Sequence, residues 1–249
     1  LCVRHRAPIV ITALGGPQAV VEAVHGYGGL VFADVNTPEF AAKAAGFGVD
    51  GLVLVCAGAG GHTGQIAAPA FVATVREFFD GILVVAGAMS SGSAVRSAQI
   101  LGADLVHMGT RFIATDESLA VPAYKQMIVD SSSRDIVCTN AITGAWANKL
   151  RPSLVQAGLD PDNLPPRRDG FDLSRGEEQG RTFGDLQRLA PRAAFDQRQD
   201  LERSTAHKAF LTQQNLEVVG RKTHTHGDFG LRMIPVSFIH HARNSAHQF

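Results

Sequence analysis

From Ala7 to about Thr110 the chain repeats one unit: a short, almost wholly apolar run, then a segment with apolar residues at helical spacing. The runs are Pro8-Ile9-Val10-Ile11-Thr12, Gly29-Leu30-Val31-Phe32-Ala33, Gly51-Leu52-Val53-Leu54-Val55, Ile82 to Ala86 and Leu105 to Met108. A strand with one wet face alternates apolar and polar residues, and these do not. Both of their faces must be covered, which predicts a parallel sheet with helices packed against it. The pattern therefore reads as five strands joined by four crossover helices.

The helices carry their own signals. Pro17 to His25 spaces Ala19, Val20, Ala23 and Val24 on one face. Asn36-Thr37-Pro38-Glu39 opens the next helix, with Thr37 as N-cap and Pro38 at the first helical position. Pro69 to Phe79 and Ser93 to Leu101 follow. Beyond Arg111 the rhythm changes: Asp116 to Asp130 and Asn148 to Ala157 read as helices on either side of the short apolar run Ile136-Val137-Cys138. We expect 1–115 to form the sheet domain, 116–166 a small helical cap over its mouth, and 167–249 a poorly organised tail rich in Arg, Gln and His.

Composition excludes several classes of function. Lys plus Arg equals Asp plus Glu at 23 each, so there is no basic footprint for nucleic acid. No apolar run approaches the ~20 residues of a membrane helix. The three cysteines, Cys2, Cys56 and Cys138, are too few and too scattered for a disulfide framework or a zinc site, so a reducing, cytoplasmic setting is the expectation. His224, His226, His240 and His241 have no supporting pattern, and no metal is expected.

Three glycine-bearing turns end three successive strands: Gly58 to Gly64, Gly87-Ala88-Met89-Ser90-Ser91-Gly92, and Gly109-Thr110-Arg111-Phe112. In parallel α/β folds the carboxyl ends of the strands form the ligand face, so the three turns should converge on one edge. Ser90, Ser91 and Gly92 run straight into a helix, whose first N–H groups and positive dipole end suit a phosphate held against Gly109-Thr110. In the first turn a single imidazole, His62, follows Gly60-Gly61, where the backbone can come close to a flat ligand. His62 is the candidate reactive group. His107 reads as packed between sheet and helix, Arg111 as a phosphate contact or a salt bridge to the cap, and Trp146 and Tyr124 as packing within the cap.

Four blocks carry a resemblance. Gly58-Ala59-Gly60-Gly61-His62-Thr63-Gly64, Ala86-Gly87-Ala88, Gly102-Ala103-Asp104 and Met108-Gly109-Thr110-Arg111-Phe112-Ile113-Ala114-Thr115 with Glu117-Ser118 resemble, in order and spacing, the nitronate monooxygenases, formerly called 2-nitropropane dioxygenases. The resemblance runs from about Ala7 to Asp172. It implies a TIM barrel that binds FMN without a metal and oxidises alkyl nitronates with molecular oxygen to a carbonyl compound and nitrite. It implies His62 as the catalytic histidine, acting as base or as partner of the anionic nitronate. Gly87, Ala88, Gly109 and Thr110 would hold the FMN phosphate by backbone contacts, and Gly60 and Gly61 would admit the ring. A similar family with the same glycine–glycine–histidine turn, the enoyl-acyl-carrier-protein reductases, implies the alternative of an NAD(P)H-oxidising flavoprotein.

Compared with the family, the chain begins at what resembles the fourth strand of eight, so the expectation is a partial barrel, strands 4–8. After Gly176-Glu177-Glu178-Gln179-Gly180, the run beginning Asp185-Leu186-Gln187-Arg188 stands where the family continues with a tryptophan-containing helix. An inactive fragment is the remaining alternative. Open sheet edges are unfavourable, so a homodimer that covers them is the expected protein partner, beside a small-molecule nitronate and oxygen.

Overall fold

The computed structural model describes residues 1–13 and 15–164, together with the backbone of three short strands between 216 and 240. The other residues of the expected tail lie outside the described ones. After a short helix α1 (Cys2–His5), the expected alternation is present: β1 (Ile9–Ala13), α2 (Gln18–His25), β2 (Leu30–Val35), α3 (Pro38–Gly46) and β3 (Gly51–Val55). A two-residue strand β4 (Gly61–His62) then precedes α4 (Ala68–Arg76), β5 (Ile82–Ala86), α5 (Gly92–Leu101), β6 (Leu105–His107) and the short α6 (Thr110–Ile113). Thr37 caps α3, its hydroxyl accepting from the Phe40 N–H at 3.3 Å, with Pro38 in the first turn. Ser91 does the same for α5, accepting from Ala94 N–H at 3.2 Å.

The strands pair in parallel in the order β1-β2-β3-β5-β6. A sixth, β11 (Ser237–His240), lies parallel to β1 on its other side. Among the described residues the sheet is thus an α/β layer of TIM-barrel type that does not close, with β11 and β6 at its edges. Two further strands, β9 (Leu216–Val219) and β10 (Arg232–Pro235), form an antiparallel pair. All three fall inside the segment 167–249, where the sequence predicts no periodicity.

Register divides the sheet into two faces. Val10, Val31, Ala33, Leu52, Leu54, Leu83, Val85 and Val106 point toward the helices and bury with Val24, Ala41, Phe71, Val72 and Val75. Ile11, Phe32, Val53, Val84 and Ala86 form the opposite, inner cluster, with Leu30 and Leu105 against it. Covering both faces is what the unbroken apolar runs require.

At the amino ends of the strands one device occurs twice. In Gly48-Val49-Asp50 the Asp50 backbone N–H donates to Val31 O at 2.8 Å, and its carboxylate accepts from Val31 N–H at 2.7 Å. In Gly102-Ala103-Asp104 the Asp104 N–H donates to Leu83 O at 2.9 Å, and its carboxylate accepts from Leu83 N–H at 2.9 Å. His25 and Arg76 complete the two clamps from the helices. Each clamp fixes a strand's register against its neighbour at the face away from the turns.

The region after α6 is less helical than its pattern suggests. Helix α7 (Pro122–Asp130) and a 3-10 turn (Ser133–Asp135) lead to an antiparallel hairpin, β7 (Ile136–Thr139) and β8 (Ala147–Leu150), before α8 (Arg151–Gln156). The expected helix from Asn148 to Ala157 is therefore strand for its first three residues and helix only from Arg151. Pro152 in the first turn sets that start, because proline fits there and disfavours helix before it. Among the described residues, no helix is long and apolar enough to cross a membrane.

Candidate functional site

The three turns do converge. Gly87 lies in the left-handed region at φ 121°, and a Cβ there would stand 3.0 Å from Cys56 O and 3.1 Å from Ala59 N. Only glycine fits, and the turn after β5 lies directly against the turn after β3. The next residue, Ala88, also has a positive φ, 57°, and donates its N–H to Gly58 O at 3.1 Å. A Cβ on Gly60 would collide with the hydroxyl of Thr110, so the turn after β6 closes on the same loop. Gly61, at φ 78°, has open space where a side chain would stand.

His62 is exposed, yet its backbone is held. Gly61 and His62 pair with Asn148 and Ala147 of β8, and the next residue, Thr63, donates its N–H to Trp146 O at 3.0 Å. Asn148 adds a side-chain bond, Nδ2 to Ala59 O at 2.9 Å. At the loop's base the buried Thr63 hydroxyl lies 3.1 Å from the carbonyls of both Cys56 and Gly64. The His62 Nε2 stands 3.2 Å from Thr143 Oγ1. The three-stranded unit β4-β8-β7 is thus built partly from the histidine's own loop.

Several residues fall elsewhere than the sequence suggests. His107 is not between sheet and helix: Val106 takes the helix side, and His107, paired with Ala86, faces inward with Leu105. Burial pushes its imidazole down to about 4, so it is neutral. Trp146 is 47% exposed rather than packed within the cap. Arg111 is exposed on α6, a position compatible with both roles expected of it.

One polar group of the inner face went unnoticed. Asp34, near the carboxyl end of β2, shares the parity of Leu30 and Phe32, and its Oδ1 is buried without a hydrogen-bond partner. Burial raises its carboxyl to about 7. The signal was available: Asp34 is the one charged residue in the run Leu30 to Val35. A fourth glycine turn, Gly15-Gly16, also follows β1 at the same edge. Cys56, beside the loop, is fully buried, and burial pushes its thiol up to about 12, which removes it as a nucleophile. Among the described residues no cluster of His, Cys, Asp or Glu could hold a metal ion.

The arrangement offers a glycine-lined shelf, the first turn of α5 and one exposed imidazole on a single edge. A flat ligand carrying a phosphate fits that set: the shelf has room at Gly61, Gly92 and Gly109, where an added Cβ would meet nothing within 4 Å. The first N–H groups of α5, at Gly92 and Ser93, precede the one that Ser91 caps.

Comparison with known proteins points the same way. The sequence profile of the nitronate monooxygenase family matches residues 1–162. A nitronate monooxygenase of Pseudomonas aeruginosa is 32% identical over 162 residues, covering 61% of this chain and 46% of that protein. The chain spans about half the length of the curated relatives it matches. Among solved structures, FabK from Thermotoga maritima is similar at a TM-score of 0.59 and 29% identity, over 75% of this chain and 60% of that one. Nitroalkane oxidase from Streptomyces ansochromogenes is similar at a TM-score of 0.54 and 28% identity, over 60% and 46%.

Proposed function

Because the chain belongs to the nitronate monooxygenase family, we propose that it serves FMN-dependent oxidation of alkyl nitronates by molecular oxygen, giving a carbonyl compound and nitrite. The observation that carries this reading is the placement of His62 on a loop held to β8, beside the glycine turns after β3, β5 and β6.

The chain's own residues divide the work. The first-turn N–H groups of α5 and the Gly109-Thr110 backbone would hold the phosphate beside Gly87, while Ala88, its N–H given to Gly58 O, would shape the turn. Gly60 and Gly61 let the backbone approach the ring. When bound, the flavin supplies the electron-accepting chemistry and the handling of oxygen. A neutral imidazole at His62 takes the carbon-bound proton of a nitroalkane, and a protonated one pairs with the negative charge of a nitronate.

Replacement of His62 by Asn tests the assignment. Turnover on nitronate or nitroalkane should fall by roughly 10²–10⁴-fold with flavin content unchanged. Loss of flavin in proportion to activity would make His62 structural and sink the catalytic reading. The second reading, reduction of an enoyl thioester by NAD(P)H, is favoured by the glycine–glycine–histidine turn that similar reductases share. NAD(P)H consumption that depends on an enoyl thioester, with no nitrite from nitronates, would establish it.

A further inference from the structure

Asp34 is the only charged side chain of β2, and the proton and phosphate chemistry above makes no use of it. On the inner face it stands beside Val53 of β3 and follows Phe32 on its own strand, neither of which has a hydrogen-bonding side chain. Among the described residues its buried Oδ1 has no partner. A buried carboxyl oxygen left so is unfavourable, and a ligand that supplies the missing partner gains by it. The position lies close below the glycine turns. Asn36 is two residues on, about 7 Å of extended chain, and its Cβ is 3.5 Å from where a Cβ on Gly64 would stand. Gly64 ends the turn that carries His62. Asp34 therefore belongs to the carboxyl-end rim of the inner face, under the turns of the candidate site.

We propose that Asp34 binds the edge of the flat ring, its carboxyl donating one O–H to a ring C=O and accepting from the N–H beside it. The inference rests on the reading that the site takes a flavin, whose pyrimidine edge carries an N–H between two carbonyls. An ionised carboxylate could only accept, and it would repel the neighbouring carbonyl oxygen. The neutral acid has donor and acceptor side by side on one planar group, the complement of an N–H next to a C=O. Burial, which raises Asp34 to about 7, keeps that proton in place at lower pH. The two ends of the ligand are then held by different chemistry. Backbone N–H groups of the turns after β5 and β6 meet the charged phosphate, and one side chain on β2 meets the uncharged edge.

The test titrates the full chain with FMN and with 3-methyl-FMN, in which a methyl group replaces the ring N–H proton, and follows flavin fluorescence. Wild type should bind FMN roughly tenfold more tightly than 3-methyl-FMN, a comparison that needs no variant to fold. Asp34→Ala should bind FMN roughly tenfold more weakly than wild type and no longer distinguish the two flavins. Asp34→Asn keeps one donor and one acceptor, and its affinity for FMN should stay within about threefold of wild type. A wild type indifferent to the methyl group, or an Asp34→Ala chain that matches it on FMN, would overturn the inference and leave the flavin reading intact. So would an Asp34→Asn chain as weak as Asp34→Ala, or an Asp34→Ala chain that keeps the whole methyl penalty, since another group would then read the edge. Failure of wild type to bind either flavin would remove the flavin reading, and this inference with it.

Discussion

Ala88 is the residue where local backbone strain stands beside the candidate site. An L-residue at positive φ is disfavoured by about 1–2 kcal/mol, yet here it is held by its N–H bond to Gly58 O. Ala88→Gly removes the strain while adding about 0.5–1 kcal/mol of unfolded-state entropy. We therefore expect its stability, measured by urea unfolding, to stay within about 1 kcal/mol of wild type. Ala88→Val, β-branched at the same φ, should be clearly destabilised. Equal midpoints for the two variants would show that the positive φ is not maintained in solution. At this scale the sequence is legible where one residue type announces itself, as at Gly87, whose positive φ requires glycine. It is less so at Asp34 and His107, whose meaning depends on which face of the strand they occupy.

Strands and crossover helices were readable because their signals are local: each apolar run is its own strand, and Thr37 with Pro38 marks a helix start without reference to distant residues. The hairpin was not. Ala147-Asn148-Lys149-Leu150 has no strand-forming composition, and Gly61–His62 is too short to show a period. Both become strands by pairing with each other, a long-range choice that overrides propensity. The element therefore stands or falls on cross-connections such as Asn148 Nδ2 to Ala59 O. Asn148→Ala should lower stability by about 1 kcal/mol. It should also speed amide exchange at Thr63, which donates to Trp146 O, while leaving the β5 amides unchanged. Uniform acceleration across both elements would mean that hairpin and sheet open as one unit.

Taken as a whole, the molecule carries two opposed titrations on its inner face. Burial raises Asp34 to about 7, so from about pH 4 to 7 the folded chain keeps a proton that the unfolded chain releases, and stability falls as pH rises. Burial lowers His107 from 6.5 to about 4, so across that interval the unfolded chain holds a proton that the folded one lacks, and stability rises with pH. The slopes oppose, which predicts a nearly flat profile between about pH 4 and 6.5. Asp34→Asn should unmask the rise and His107→Asn the fall, each approaching about 1.4 kcal/mol per pH unit in urea midpoints converted to free energy. Profiles of both variants parallel to wild type would refute the pairing. The 81-residue separation of His62 and Thr143 also bears on the order of events during synthesis. His62 leaves the ribosome well before the turn that contacts it, and a growing chain folds its early part first. A nascent β1–β5 layer thus displays its glycine turns before the β7–β8 hairpin can pair with β4, so the candidate site is completed late, only when residues 136–150 have emerged and paired.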